Sequence, residues 1–322
     1  MTTVTETLGL TPDQTTDVLR AATLAPSVHN TQPWRFRLRP DRIELYPDLS
    51  RRLPATDPDD RELDLSCGAA LFNLRLALRG HGVKPLVTLL PGSEAPGAAA
   101  TIRLGGHRAL DPETAELLDA IPHRRTNRKP FRDAAVPTTH RHALVRAAER
   151  ERCWLHVVTR DERPRVQALM TKAYDLQIHD PRVDAELLTW THDGIPPESR
   201  GHRPAGQDEW RFRDFRADDR PPGKDYEADP LVVVLCSFHD GRLAALQAGQ
   251  ALQRVLLTAT AYGMSASFLS QVVEVAPVRD ELRRALGGAL IPQTVLRIGF
   301  GSPVPATPRR PVADLVHDDP ED

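Results

Sequence analysis

Cysteine is scarce in this chain. Cys67, Cys153 and Cys236 are odd in number, far apart and set among apolar neighbours, which excludes a disulfide framework and a cysteine-rich zinc site. They read as small buried hydrophobes. No apolar run approaches the ~20 residues that span a bilayer, and residues 1–19 lack the basic start and apolar centre of a secretory signal. The sequence therefore places the protein in the cytoplasm and off the membrane. An excess of charge is missing too: 42 Lys and Arg against 44 Asp and Glu leave a formal charge of −2. That removes the bulk electrostatic case for nucleic acid, while the many arginines leave room for a local anion site. Common catalytic signatures are also lacking. Gly299-x-Gly301 follows a strand pattern but has no third glycine and no following helix, so it is not a dinucleotide fingerprint. Ser66, Ser237 and Ser270 lack Gly-x-Ser-x-Gly surroundings. His140 and His142, two apart on a predicted helix, face different ways, so no metal site is expected.

What is present is a chain of 322 residues, 40% hydrophobic, enough for one large core or two medium ones. Thr11-Pro12-Asp13-Gln14 carries a capping residue, a first-turn proline and a glutamine three residues on, predicting a helix to about Ala25. Strands at 34–38 and 43–46 flank a short hairpin turn at Arg39-Pro40-Asp41-Arg42. Asp57-Pro58-Asp59-Asp60 opens a long helix, which Gly82 closes in a left-handed cap. Strands at 85–90 and 101–104 and a helix at 112–121 complete a first half. The second half reads as a helix at 138–150, a strand at 153–159, a helix from Asp161 towards His179, a strand at 231–237 and a long helix at 243–261 capped by Gly263. A strand-like 264–270, a helix after Pro277 and a strand at 294–298 close it. Between them, 180–229 is proline-rich and irregular, a length uncommon in a passive connector. Tyr174, Trp190 and Trp210 are expected to serve lid or core packing.

The loop Ala25-Pro26-Ser27-Val28-His29-Asn30-Thr31-Gln32-Pro33-Trp34 lies between the first helix and the first strand. Pro26 and Pro33 fix two φ angles, and Ser27, Asn30 and Gln32 offer uncharged hydrogen-bonding groups suited to the edge of a neutral heterocycle. Pro-Ser-x-x-Asn-x-Gln-Pro-Trp resembles the signature loop of the nitroreductase-like flavoprotein family, which lies along the ring of flavin mononucleotide (FMN) at a subunit interface.

Two segments of the chain also resemble each other. Cys67-Gly68-Ala69-Ala70-Leu71 aligns with Ala248-Gly249-Gln250-Ala251-Leu252 at an offset of 181, and Pro33-Trp34 aligns with Cys153-Trp154 at an offset of 120. The mismatch of 61 places an insertion in the second copy alone, at 180–229. This arrangement is similar to the Acg-type branch of the family. That resemblance implies an α+β, nitroreductase-like fold in which two fused half-units, 1–122 and 123–322, form a pseudo-dimer in one chain. One flavin would be retained under a lid, and a monomer would suffice.

Within the resemblance, His123-Arg124-Arg125-Thr126-Asn127-Arg128-Lys129-Pro130-Phe131 is similar to the basic motif for the flavin phosphate, with Arg124, Thr126 and Arg128 in its three contact positions and Arg125 among them in the motif. Ser270 and Gln271 end the segment that passes the ring, and Arg309-Arg310 resembles the C-terminal basic pair near the phosphate. With Pro26, Ser27, Val28, Asn30 and Gln32 these are the expected cofactor-binding residues. A phosphate carries close to two negative charges and suits the planar donor fork of arginine. Arg128 is the candidate cation for the pyrimidine edge of the ring. No catalytic side chain is expected, because the cofactor performs the hydride chemistry. Two functions stay open: reduction of a quinone, nitroaromatic or similar small-molecule acceptor by NADH or NADPH, and sequestration of FMN under a closed lid.

Overall fold

A computed structural model describes residues 4–191, 195–196, 199, 210, 213 and 229–317. The first half-unit consists of α1 (Pro12–Thr23), β1 (Trp34–Arg39), β2 (Arg42–Pro47), α2 (Arg61–Gly80), β3 (Val83–Leu89), β4 (Ala100–His107) and α3 (Pro112–Ala120). The second consists of α4 (Thr138–Arg150), β5 (Trp154–Val157), α5 (Arg163–Ile178), α6 (Pro181–Thr191), β6 (Leu231–Ser237), α7 (Arg242–Ala261), β7 (Ser265–Phe268), α8 (Gln271–Glu274), α9 (Ala276–Ala285) and β8 (Ile291–Gly299). Local chemistry sets several boundaries. Thr11 and Gln14 exchange side-chain and backbone hydrogen bonds at the start of α1, and Gly82 and Gly263 take φ of 76° and 69° after α2 and α7, which glycine adopts without steric cost.

Each half-unit holds a four-stranded antiparallel sheet, ordered β1-β2-β4-β3 in one and β5-β6-β8-β7 in the other. Position for position the two orders are the same, with Trp34 and Trp154 opening the equivalent edge strands. Between the sheets, α2 and α7 run side by side in one direction, since Arg242 grips Asp64 near their starts and Gln253 donates to Asn73 farther on at 2.8 Å. They meet at Gly68 and Gly249, where a Cβ on either would collide with the backbone of the other helix. The aligned glycines of the repeat are thus the crossing point of the two half-units.

The sheets differ in how they are covered, and the strands show it. In β6, Val232 to Ser237 are all buried, because α4 and α7 cover one face and α5, α8 and α9 the other. In β3 burial alternates, and Leu86 stands exposed, as on a sheet with one wet face. Trp210 fills the outer core of the second half-unit beside Val166, Met170 and Val234. Trp190 lies instead near the guanidinium of Arg51, 5.3 Å from its ring centre.

The insertion is larger than the sequence suggested. Pro40-Asp41 joins β1 to β2, whereas 158–230 separates β5 from β6, so α5 belongs to the inserted connection. Its helical pattern had made it look like part of the repeated frame. Residues 181–191, expected to be irregular, form α6, whose Glu186 accepts hydrogen bonds from Ala55, Thr56 N and Thr56 Oγ1 of the first half-unit. Most of the remainder of 180–229, including the greater part of the expected lid, lies outside the described residues. Cys67, Cys153 and Cys236 are buried and unpaired. No described helix is long and apolar enough to cross a membrane.

Candidate functional site

A cavity opens where the half-units meet. Pro26, Ser27, Val28 and His29 form one wall, Thr126 and Arg128 another, and Ser267, Phe268, Ser270 and Gln271 a third. Glu62, Leu65 and Ser66 of α2, Leu252 of α7 and Arg213 of the insertion complete it.

The 26–34 loop is tightly wound. His29, Asn30 and Gln32 take φ of 51°, 59° and 51°, a left-handed conformation unusual for residues with a Cβ and often concentrated at binding sites. The Gln32 amide donates to Ser27 Oγ at 2.9 Å, and Thr31 Oγ1 donates to the Val28 carbonyl at 2.9 Å. These bonds turn Pro26, Ser27, Val28 and His29 into the cavity. Asn30 and Gln32 do not line it. Asn30 Nδ2 donates to the Pro308 carbonyl at 3.0 Å, and Gln32 Oε1 accepts from Arg310 N at 2.8 Å. Two side chains expected at the ring edge therefore hold the C-terminal segment, because the left-handed turns aim them outward from the loop.

The segment 123–131 is fixed to the second sheet. Asn127 N donates to the Ala266 carbonyl at 2.9 Å, and Asn127 Nδ2 donates to the Ser302 carbonyl at 2.8 Å. A Cβ on Gly299 would strike Phe131, and one on Gly301 would strike Asn127, which accounts for the Gly299-x-Gly301 pair. Arg124 is only 4% exposed, and its Nε and Nη1 are buried without hydrogen-bond partners among the described residues. Burial pulls its pKa down to about 9, with Arg309 and Arg125 close by adding to the effect. Arg309 is drawn to about 10 by burial and Arg125, and its Nε is likewise buried without a partner among the described residues. Guanidinium groups do not give up their proton in proteins, so this crowding of positive charge around the buried Arg124 calls for an anion. A phosphate with several acceptor oxygens fits that donor set.

Arg125 donates to the carbonyls of Pro122 and Arg124 at 2.7 and 2.8 Å. Arg310 is placed otherwise: it pairs with Asp48 at 2.9 Å and donates to the Gln32 carbonyl at 3.1 Å, tying the C-terminal segment to the first half-unit. Arg128, brought to about 10 by burial and by Arg213, lines the cavity and donates to the Ser199 carbonyl at 3.2 Å. Nothing in the sequence singled out His29, Glu62 or Arg213. Burial, then Arg213 and Arg128, hold the His29 imidazole well below its usual pKa and therefore neutral. Arg213 pairs with Glu274, whose Oε2 also accepts from Gln177 Nε2 at 2.7 Å. A polar first turn was the available signal for Glu62, and a turn at a helix start is ordinarily wet.

Fold and site together describe a cavity shared by two half-units, with a cluster of arginines on the segment that also brings Thr126 and Arg128 to that cavity. No family model matches the chain. Among curated proteins, "Putative NAD(P)H nitroreductase Rv3131" of Mycobacterium tuberculosis is 34% identical over 319 residues, covering 93% of this chain and 90% of the relative. "Putative NAD(P)H nitroreductase acg" of the same organism is 32% identical over 320 residues, covering 94% and 96%. The chain belongs to the nitroreductase family. Among solved structures, a nitroreductase with bound FMN from Desulfitobacterium hafniense is similar at 14% identity and a TM-score of 0.39, covering 62% of this chain and 95% of that one.

Proposed function

We propose that the chain is an FMN-dependent oxidoreductase that uses NADH or NADPH to reduce a quinone, nitroaromatic or similar small acceptor in the cytoplasm. The observation that supports this reading is the cluster of buried Arg124 with half-buried Arg309, on and against the segment that lends Thr126 and Arg128 to a cavity built by both half-units. Arg124, Arg125 and Arg309 would hold the phosphate, and Pro26, Ser27, Val28, Thr126, Ser270 and Gln271 would border the ring. Bound there, FMN supplies hydride transfer. Arg128 would place positive charge near the ring, favouring its reduced form. The names of the two relatives support a nicotinamide donor.

A second reading, sequestration of FMN with little turnover, is favoured by Arg213, which reaches the cavity from the insertion and is held there by Glu274. The two part in one experiment. Anaerobic NADPH added to the flavin-loaded protein should bleach the yellow absorbance, and a quinone added afterwards should restore it. Colour that persists through the first addition supports sequestration.

A further inference from the structure

Among the described residues lining the cavity, Glu62 is the one carboxyl. It lies in the first turn of α2, 3% exposed, and its side chain pairs with Arg61. Its own amide donates to Asp57 Oδ1 at 3.0 Å. A second hollow is lined by Arg61, Asp57 and Glu274 together with Asp64, Asp240, Arg242 and Arg279. Glu274 Oε1 is buried there without a hydrogen-bond partner among the described residues. Arg61, which lines this second hollow, pairs with Glu62, which lines the first, and so links the two. Glu62 thus touches the cavity on one side and, through Arg61, a charged cleft on the other.

We propose that Glu62 is a catalytic acid of this cavity, giving a proton to the oxygen of a quinone-type acceptor and regaining it through the cleft lined by Arg61 and Glu274. The proposal rests on the reductase reading. Reduction of a quinone to a hydroquinone takes up two electrons and two protons. NADH or NADPH supplies a hydride, which accounts for both electrons and one proton. The second proton comes from Glu62: its O–H bond breaks, an O–H bond forms on the acceptor, and the carboxylate left behind is reprotonated from water. Burial above all, opposed by Arg61 and helped by Glu274 and Asp57, raises the Glu62 pKa to about 7. A group poised near neutrality suits this task. Of the other titratable groups facing the cavity among the described residues, Arg128 keeps its proton, Arg213 is paired with Glu274, and His29, held neutral by burial, has no acidic proton to give at pH 7.

The test compares two acceptors in the flavin-loaded protein: a benzoquinone, which must be protonated, and ferricyanide, which takes one electron and no proton. Glu62→Gln should lower kcat with the quinone by roughly a hundred-fold, while KM, flavin content and ferricyanide turnover stay within about twofold of wild type. Quinone turnover unchanged by the substitution, or equal losses with both acceptors, would overturn the proposal. A second readout needs no turnover: difference infrared spectra between pH 5 and 9 should show a protonated carboxyl that titrates near 7 in wild type and is missing from Glu62→Gln. A wild-type site ionised throughout that range would overturn it as well. Should Glu62→Gln fail to fold, the wild-type profiles decide. Quinone turnover should fall above pH 7 while ferricyanide turnover stays level, and parallel profiles would overturn the assignment. A wild-type protein that NADPH does not bleach, yet whose carboxyl titrates, would instead sink the reductase reading and the catalytic role with it.

Discussion

Arg124 is the residue on which the site most depends. A guanidinium buried with two donor nitrogens unpartnered among the described residues, and crowded by Arg125 and Arg309, costs free energy unless an anion meets it. Arg124→Ala should weaken flavin binding by roughly 1.5–3 kcal/mol, the worth of a hydrogen bond to a charged group. That is about ten- to more than a hundred-fold in Kd, readable by flavin fluorescence titration. Arg20→Ala is the control, since Arg20 is exposed on α1 and pairs with Asp17. Equal effects from both would show that the segment 123–131 is ordinary surface. At this scale the sequence revealed residue types better than their directions. Arg124, Arg128, Ser27 and Gln271 were marked by motif and are buried or line the cavity. Asn30, Gln32 and Arg310 carried the same mark and secure the C-terminal segment instead, because the loop's positive φ angles set where each side chain points.

Among the elements, the pair α2 and α7 does most to join the half-units. Their contact is close because Gly68 and Gly249 have no Cβ, letting the backbone of Leu65 approach one and that of Leu246 the other. Gly68→Ala must push the helices apart, since the obstacle is backbone and cannot rotate away. Overpacking of this kind costs about 1–3 kcal/mol or somewhat more, and the urea midpoint should fall accordingly. A change of Gly82 to Asn, at the left-handed end of α2 with open space around it, should cost much less. The repeat alignment found these glycines from sequence alone. It did not find that α5 lies within the insertion or that 181–191 is helical. Both helices cover surfaces presented by distant parts of the chain, and periodicity does not reveal what a helix packs against.

For the whole molecule, the two half-units contribute different parts of one cavity. The first supplies the 26–34 loop and the second the Ser267–Gln271 wall, so one flavin per chain is expected. Acid release of the flavin, quantified against protein mass, should give a ratio near one, and light scattering should give the mass of a single chain, about 36 kDa. A ratio of two, or a tight dimer that loses flavin on dilution, would contradict the shared-cavity arrangement. Trp210 also changes what the insertion must be. It fills the core of the second half-unit, so the insertion is partly structural, and Arg213 rather than a tryptophan is the part described at the cavity.

The sequence by itself determined the α+β class, the repeat and its offset, the helix caps and the family of the signature loop. Each of these is written in local periodicity, in residues with special backbone freedom, or in a short motif. Only the tertiary structure decided that Glu62 and Arg213 face the cavity, that Trp210 is core, and that Asn30 and Gln32 turn away. These outcomes depend on contacts between residues far apart in the chain, where packing and desolvation act on pairs that local sequence does not bring together.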